Sequence, residues 1–559
     1  MRQERIYMQL FLIASWLMLT SSNCNKTSPA PNPTPVNALT LRSAWVNDQD
    51  FVEGLFNCNR VGIIRLCFSA PVSRTSTTGA ILYTNAMGDP VPYSLSYEKS
   101  DSQLVIQPTT LLSGITRFNF KILSSLKSVA GRGLETEFVK SFITSIDSSR
   151  KFSALSNAQL LDKVQQQTFK YFWDFGHPVS GLARERNTSG DIVTSGGSGF
   201  GIMAIVVAIH RGFITRSQGV ARLQTIVTFL KNTAQTFHGA FPHWLNGSTG
   251  VVVPFSAKDN GADLVETSYL IQGLLSARQY FNATNTTESE LRGDINSIVD
   301  RVEWSWFRRN SAQTLYWHWS PNFNWDMNMP IKGWNECLIT YVLAASSLNY
   351  GIPASVYHAG WAQNGAIRNG NTYFNFSLPL GEPAGGPLFF SHYSFLGINP
   401  NGLTDTYANY QTQTRNHTLI NRAYCKNQQL TSSGYSDSIW GLTASDIQNG
   451  YTASSPTNDV GVVAPTAALS SFPYTPEESM AALHFYYYVL GDKIWKEYGF
   501  VDAFSLRTPW FATSFLAIDQ GPIIVMIENY RSGLLWDLFT SCPEVKNGMR
   551  LLGFSAPYL

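Results

Sequence analysis

The feature that most constrains the fold of this 559-residue chain is a series of segments with helical spacing that are apolar on most faces. Residues 201–209 and 523–527 are the clearest examples, because they contain almost only Ile, Val, Met, Ala and Gly. A helix that is apolar all round must be covered on both sides. With long connections rich in Gly and Trp, such helices predict an (α/α) toroid, whose loops build a cleft at one end. No fixed repeat period is visible, so stacked helical repeats are less favoured.

The part of the chain with helical spacing begins near Ser153. Residues 157–173 have apolar positions at helical spacing, which predicts an amphipathic helix. Further helices are predicted at approximately 199–212, 215–236, 263–282, 291–307, 334–349, 405–423, 476–491 and 519–537. The toroid is therefore expected to occupy residues 150–559.

Residues 38–147 have a different sequence pattern, because they consist of short runs rich in branched and aromatic residues. The runs are 61–68, 81–84, 104–107 and 118–123, and turn residues such as Gly79 and Gly88 separate them. This spacing predicts an immunoglobulin-like β-sandwich. It has few histidines and no acidic cluster, so we expect an accessory domain. Cys58 and Cys67 are close enough in sequence to pair, but a disulfide is optional here, since the other cysteines leave an odd count.

The first residues predict export. Arg2 and Arg5 precede an apolar run from Met8 to Leu19, which is too short for a spanning helix and is typical of a signal peptide over residues 1–23. Cys24 follows at the spacing at which bacterial lipoproteins are cleaved and acylated. Residues 24–37 contain four prolines and predict a stiff, extended tether. We expect a periplasmic or outer-membrane-anchored lipoprotein that contacts membrane only through its lipid, with ordinary cleavage nearby as the alternative.

Composition excludes several classes of function. The chain is 44% hydrophobic and 14% charged, which excludes a disordered chain. Its net charge of +2 and the lack of any Lys/Arg run argue against a nucleic-acid partner. Aromatic residues make up 13% of the chain, more than core filling requires. Aromatic rings also stack on the C–H faces of sugars, so the surplus favours a carbohydrate ligand.

Glycosidic bond cleavage requires two carboxyl groups, and several acidic residues stand inside otherwise apolar segments. Asp263 and Glu266 lie three residues apart at the start of a helix that then becomes apolar. The alternative is that Asp263 caps this helix and Glu266 completes a capping box. Glu336 opens another buried helix, directly after Trp334 and Asn335.

Three further carboxylates are candidates. Asp459 stands in a loop before a helix of small residues, although an Asn-Asp turn is an equal alternative. Asp191 follows the Arg-rich segment 183–186 near the start of the toroid. Asp519 is expected to cap a helix that begins at Pro522. Glu528 and Arg531 lie three residues apart in mid-helix, where a buried ion pair and a catalytic role are equal alternatives.

Metal and phosphate sites are not predicted. Four histidines are scattered beside aromatic residues: His243, His318, His392 and His417. This is more consistent with hydrogen-bonding residues in the wall of a cleft than with a zinc site. The glycine-rich run 195–201 lacks the ending and the preceding strand of a phosphate loop, so it is interpreted as a tight turn into a helix. We therefore expect no metal and no cofactor.

Eight segments, in order, carry a resemblance to a known family. They are 173–186, 196–202, 265–267, 335–337, 440–446, 465–468, 472–476 and 517–522, and the first of them ends in 183–186 (Ala-Arg-Glu-Arg). They resemble the glucoamylase-like domain of Bacteroidetes, glycoside hydrolase family 144, over residues 150–559. The resemblance implies an (α/α)6 barrel, no metal, and hydrolysis of β-1,2-glucans or their oligosaccharides with inversion. Family members include endo-acting glucanases and exo-acting enzymes that release sophorose.

The resemblance also implies roles for residues. Glu266 matches an essential glutamate and is the expected general acid, and Asp459 matches a loop aspartate and is the expected base, with Asp191 and Glu336 as alternates. Residues expected to bind the glucan are Trp173, Arg184, Trp244, Asp263, Trp334, His392, Trp440, Tyr474 and Asp519. The protein is expected to be a monomer. It is also expected to be exo-acting, because a β-domain packed on the barrel mouth would block distal subsites.

Three alternatives stay open. The first is an endo-β-1,2-glucanase. The second is a polysaccharide lyase on a similar toroid, for which Asn416, His417 and Tyr424 supply the parts. The third is a glycan-binding lipoprotein without catalytic activity, for which aromatic residues alone would suffice.

Overall fold

The computed structural model describes residues 38–428 and 433–559. The predictions for the signal peptide 1–23, for acylation of Cys24 and for the tether 24–37 lie outside the described residues. Within the described ranges, no helix has the length and apolar character needed to cross a bilayer.

The N-terminal part is a sandwich of two sheets. Its strands are β1 Leu41–Val46, β2 Gln49–Asp50, β3 Leu55–Cys58, β4 Ile64–Phe68, β5 Ile81–Asn85, β6 Tyr93–Glu98, β7 Gln103–Pro108, β8 Arg117–Ile122 and β9 Phe138–Thr144. One sheet has the order β2-β1-β4-β7-β6 and the other β3-β9-β8-β5, with β3 and β9 parallel. Strands β4, β5, β7 and β8 coincide with the four predicted runs.

The sandwich core lies between the sheets and is rich in phenylalanine. Phe118 and Phe142 stack with ring centroids 5.7 Å apart, and Phe120 and Tyr83 meet edge to face. The alternating burial along β4 and β8 places such residues inward at every second position. Cys58 and Cys67 are both free thiols, so the optional disulfide does not form.

Residues 157–551 supply the helices of the second part. They are α1 Asn157–Trp173, α2 Ser195–His210, α3 Arg216–Asn232, α4 Leu264–Tyr280, α5 Thr286–Val299, α6 Leu338–Ser346, α7 Ala354–Val356, α8 Tyr410–Asn427, α9 Pro465–Leu469, α10 Pro476–His484, α11 Gly491–Ile494, α12 Ala517–Ser532, α13 Leu534–Thr540 and α14 Pro543–Leu551. Short two-stranded ribbons and 3₁₀ turns fill the connections.

The helices alternate between an outer and an inner layer along the chain. Helices α2, α4, α6, α9 and α12 are buried along most of their length, whereas α1, α3, α5 and α8 bury one face. The sixth inner position is taken by two 3₁₀ turns, Leu388–Ser391 and Ser394–Leu396, and not by an α-helix. The expected (α/α)6 barrel is confirmed.

Glycines allow the inner helices α2 and α4 to pack backbone against backbone. A Cβ atom on Gly199 would lie 2.2 Å from the carbonyl oxygen of Tyr269, and one on Gly273 would lie 2.2 Å from that of Gly199. The run 195–201 is therefore not a turn, as predicted, but the first two turns of α2. Because helices normally keep 8–10 Å between their axes, contact this close requires residues without side chains.

Two predictions about α12 are wrong. The helix begins at Ala517 after Leu516, so Asp519 does not cap it and Pro522 lies inside it. Glu528 does not pair with Arg531 but accepts two 2.7 Å hydrogen bonds from Arg211, the residue that follows α2. Arg531 reaches outward instead, to Asp162 on α1. Each arginine thus ties α12 to a different neighbouring helix.

The sandwich contacts the barrel through a few specific residues. Ile115 packs into the barrel's hydrophobic core, and the backbone N–H of Lys151 donates to the carbonyl of Tyr488. The guanidinium of Arg507 lies 5.0 Å from the ring of Phe56. Arg507 belongs to the tight loop between strands Phe504–Ser505 and Trp510–Phe511, so this hairpin joins the two parts.

Candidate active site

A cavity of about 390 Å³ opens where inner helices begin. It is lined by Thr194, the residue before α2, and by Glu266 and Ile518, in the first turns of α4 and α12. Glu336 lines it just before α6. Its aromatic walls are Trp244, Phe255, Tyr269, Trp317, Phe389, Tyr393 and Tyr451. The N-terminal ends of helices carry partial positive charge, so this arrangement favours anionic side chains in the cavity.

Glu266 is the most firmly held carboxyl group in the cavity. Its Oε2 accepts a 2.7 Å hydrogen bond from the backbone N–H of Gly196 and a 3.2 Å bond from the hydroxyl of Thr194. Asp263 caps α4 by accepting from the N–H groups of Val265 and Glu266. The capping box is therefore not completed, because the Glu266 side chain points across to α2 and not back to its own helix.

Burial dominates the protonation of Glu266 and raises its pKa above the ordinary value. The charge of His243 and the hydrogen bonds from Gly196 and Thr194 oppose this rise, and the charge of Asp263 adds to it. A raised pKa favours the protonated form of a carboxyl group, and the protonated form is the one that a general acid needs.

Glu336 lines the same cavity. Burial raises its pKa to about 7, and the nearby charges of Asp263 and Glu266 contribute to this. Two carboxyl groups that share a dry cavity disfavour each other's ionisation. The cavity can therefore keep at least one proton on the pair near neutral pH.

A third carboxyl group in the cavity wall, Glu185, is held by an arginine. Arg186 donates to both oxygens of Glu185 at 2.9 and 3.0 Å and to both oxygens of Asp446 at 3.2 Å. Ser514 donates to Asp446 as well, at 2.5 Å. These hydrogen bonds form a clamp that fixes the positions of the two carboxyl groups beside the cavity.

Two buried aspartates lie behind the clamp. Asp502 accepts a 2.7 Å bond from the backbone N–H of Asp446, and burial raises its pKa to about 7. Asp519 is 2% exposed, and burial together with Asp502 raises its pKa well above the ordinary value. Asp519 therefore stabilises the wall from behind, and it does not contribute to the cavity lining.

A second cavity of about 640 Å³ adjoins the first and shares Arg186 and Tyr451 with it. Trp510 and Phe511 form one of its walls, and Asp446 forms part of the opposite one. The two cavities together make a continuous groove with half-exposed aromatic rings. The hairpin that carries Trp510 is the one whose loop contacts the sandwich.

A cluster of histidines and aspartates lies beneath Glu266. Ligand atoms of His243, Asp259 and Asp263 lie within 4.8 Å of one another, which is the spacing of groups that could hold a metal ion. His318 joins them, with its Nε2 3.3 Å from an oxygen of each aspartate. Although the histidines are far apart in sequence, pairing of the strands that contain Asp263 and His318 brings these two residues together.

The predicted residues divide into two groups. Glu266, Glu336 and Trp244 line the cavity, and Asp263 lies directly beneath it. The others lie elsewhere: Trp173, Arg184, Trp334, His392, Trp440, Tyr474, Asp519, Asp191 and Asp459 are outside the cavity lining. Trp440, for instance, is fully buried, and His392 is bonded to Ser471 inside the barrel. Such buried side chains pack inside the barrel.

The two remaining predicted carboxylates are exposed. Asp459 accepts from the hydroxyls of Tyr424 at 3.0 Å and Tyr435 at 2.5 Å, and from the N–H of Gly461. Asp191 lies beside His177 with 60% of its side chain exposed. Neither lines the cavity that contains Glu266.

Sequence reasoning missed several lining residues. Glu185 and Arg186 lie in the quoted segment 183–186 but were not singled out, although two charges next to each other before a buried strand were a usable signal. Tyr393 follows the 3₁₀ turn that replaces an inner helix, so no helical periodicity marked it. His243 gave no signal, because its partners are distant in sequence.

The fold and the cavity define an (α/α)6 barrel with an acidic, aromatic cleft, joined to an immunoglobulin-like domain. Residues 328–543 match the Glycoamylase family, described as "Putative glucoamylase", and residues 26–144 match the bacterial Ig-like domain family. An exo beta-1,2-glucooligosaccharide sophorohydrolase (non-reducing end) of Parabacteroides distasonis is 48% identical over 419 residues, 71% of this chain. The chain spans 58% of that curated relative's length.

Two solved structures are also similar. An endo-beta-1,2-glucanase of Chitinophaga pinensis, in complex with sophorotriose and glucose, is 53% identical, with a TM-score of 0.71 over 73% of this chain and 100% of that one. A beta-1,2-glucanase of Parabacteroides distasonis is 38% identical, with a TM-score of 0.70 over 94% of this chain and 74% of that one. The chain belongs to glycoside hydrolase family 144.

Proposed function

We propose that this protein hydrolyses β-1,2-glucan or β-1,2-glucooligosaccharides with inversion at the anomeric carbon. The observation that carries the proposal is Glu266, a buried carboxyl group at an aromatic cavity with its pKa raised and its position fixed by Gly196 and Thr194. The names of relatives at 48% and 53% identity supply the linkage. Glu266 is the proposed general acid, which protonates the leaving glucosyl oxygen.

The base requires an ionised carboxylate on the other side of the sugar ring. Glu185 lines the cavity, Asp446 lines the second cavity, and Arg186 donates hydrogen bonds to both carboxyl groups and holds them in place. We therefore favour this clamp over Asp459, which stays a prediction from the family resemblance. Comparison of Glu185→Gln, Asp446→Asn and Asp459→Asn tests the choice. Loss of the base should lower kcat about 10²- to 10⁴-fold.

The test of the overall function is product chromatography with sophoro-oligosaccharides of defined length. Wild type should release β-1,2-linked products, and Glu266→Gln should lose activity by a factor of about 10² or more while it stays folded. A product absorbing in the ultraviolet at the unsaturated band would indicate a polysaccharide lyase. Binding without any cleavage by wild type would indicate a glycan-binding lipoprotein.

We propose exo action with release of sophorose. The sandwich contacts the hairpin that carries Trp510, and Trp510 borders the second cavity, so the accessory domain is coupled to the groove. Deletion of residues 37–147 tests this on long β-1,2-glucan. An unchanged product pattern from the deleted protein would contradict it, and a spread of oligosaccharides from wild type would indicate an endo-β-1,2-glucanase.

We further propose export, acylation of Cys24 and anchoring to a periplasmic membrane face, with the enzyme as a monomer. The Arg2 and Arg5 charges, the apolar run and the position of Cys24 support this. Metabolic labelling with a palmitate analogue should mark wild type and not Cys24→Ala. Light scattering of the enzyme without its first 37 residues should give the mass of a single chain.

A further inference from the structure

Four side chains form a compact cluster at the cavity, and one of them, His243, lines it with 24% of its side chain exposed. His243 Nδ1 lies 3.2 Å from Asp263 Oδ2 and 3.7 Å from Asp259 Oδ2, and His318 Nε2 lies 3.3 Å from each of the same two oxygens. Asp259 and Asp263 are at most 3% exposed. Two buried carboxylates need two cations to neutralise them, and two imidazolium rings meet that requirement.

The cluster is fixed to the helix that carries Glu266. Asp263 uses Oδ1 to cap α4 and Oδ2 to contact both histidines, so one side chain joins the helix to the cluster. The ring of His243 stacks on Phe255 at 4.2 Å and 15°. Its other nitrogen, Nε2, is thereby held 4.0 Å from Glu266 Oε1.

We propose that His243 is a positioning residue for the general acid, and that its imidazolium, held by Asp259 and Asp263, determines how readily Glu266 gives up its proton. This inference rests on the proposed function of Glu266. A positive charge at this distance from a buried carboxyl group stabilises the carboxylate form. His318 has no direct part in this, but it lies 3.3 Å from an oxygen of each aspartate and helps to hold the cluster together.

The charges that face Glu266 act in opposite directions. Burial and Asp263 favour the protonated form, as does Glu336 in the same cavity, whereas His243 and the N–H of Gly196 favour the carboxylate. Burial lowers the pKa of His243, but Glu266 and the two aspartates outweigh it and raise that pKa well above its ordinary range. The charged form of His243 is therefore favoured beside Glu266.

The experiment compares the pH dependence of kcat/KM for wild type, His243→Asn and His238→Asn. Asparagine keeps a donor to Asp263 and removes the charge that faces Glu266. His238 is the matched control, because it also pairs with a carboxylate, Glu303, but lies outside the cavity lining. Activity on sophoro-oligosaccharides is measured from pH 4 to 9, together with thermal unfolding.

His243→Asn should move the alkaline limb of the profile to higher pH by about one unit or more, since Glu266 then keeps its proton longer. Asp259→Asn should move the alkaline limb in the same direction by a smaller amount. This second variant serves as the test if His243→Asn does not fold. His238→Asn should leave the limb in place. The limb belongs to the acid if it is absent with 2,4-dinitrophenyl β-sophoroside, whose leaving group needs no proton.

Three results would overturn the inference: an unmoved limb in both folded variants, an equal loss of activity at every pH, or one equivalent of Zn²⁺ bound by the cluster in wild type during titration. The last would make the cluster a metal site. If Glu266→Gln keeps full activity, the proposed function itself fails, and this outcome is distinct from a failure of the His243 inference alone.

Discussion

Gly196→Ala should damage catalysis without damaging the fold. A Cβ atom at this position would lie 2.6 Å from Glu266 Oε2 and 2.8 Å from Cδ2 of Tyr269. An ordinary contact begins at 3.4 Å, so the carboxyl group must move by roughly 0.8 Å and its 2.7 Å bond to the Gly196 N–H must lengthen. Displacement of a catalytic group by about 1 Å costs on the order of 10²-fold in rate.

The expected loss in kcat/KM is therefore about ten- to one-hundredfold on sophoro-oligosaccharides. Thermal unfolding should change little, because alanine favours a helix over glycine by about 1 kcal/mol and offsets part of the steric cost. Gly293→Ala is the matched control: Gly293 is exposed on α5, with nothing within 4 Å of its added Cβ. It should raise stability and leave kcat/KM unchanged. Wild-type kcat/KM in Gly196→Ala would refute the assignment of Glu266.

Wild type should lose stability as pH rises from about 4.5 to about 7, because the folded state resists ionisation of the buried Glu336 carboxyl group. Glu336→Gln should not show this loss, and chemical denaturation at both pH values measures the free energy of unfolding. Glu528→Gln leaves Arg211 without its partner and should lower the free energy of unfolding by about 3–5 kcal/mol. Its kcat should stay unchanged, because Glu528 lies at the far end of α12. Trp510→Ala should raise KM for long oligosaccharides roughly two- to tenfold and leave KM for the shortest substrate unchanged.

Each of these outcomes has a clear contrary result. An identical pH dependence of stability in wild type and Glu336→Gln would mean that another group causes it. A lowered kcat in fully folded Glu528→Gln would show that the far end of α12 affects the site. An equal rise in KM for short and long substrates would remove the second cavity from the groove.

The barrel was predictable because its inner helices are apolar all round, a pattern with few structural solutions. Two parts of it were not. The inner element at 388–396 is built from 3₁₀ turns, so it has no 3.6-residue periodicity. Pro522 was placed at a helix start because proline is favoured there, but tertiary packing of Ala517 and its neighbours extends α12 past it.

The site was predictable only where a charge interrupts an apolar segment. Glu266 and Glu336 stand out in this way, and both line the cavity. Asp459 gave the same signal in a loop, where two tyrosine hydroxyls satisfy it at the surface. The His243 cluster could not be found, because pairing of the Asp263 strand with the His318 strand creates it, and strand pairing leaves no local trace in sequence.

The position of the acid follows from the barrel itself. Inner helices direct their N-terminal ends at the cavity, and that field lowers the pKa of any carboxyl group there, as does the charge of His243. An exposed glutamate in this field would be ionised at neutral pH and useless as an acid. Burial of Glu266 against Gly196 opposes the field, and the close packing of α2 on α4 that provides this burial is possible only because of the glycine run. The same glycines therefore determine both the packing of the inner layer and the protonation of its acid.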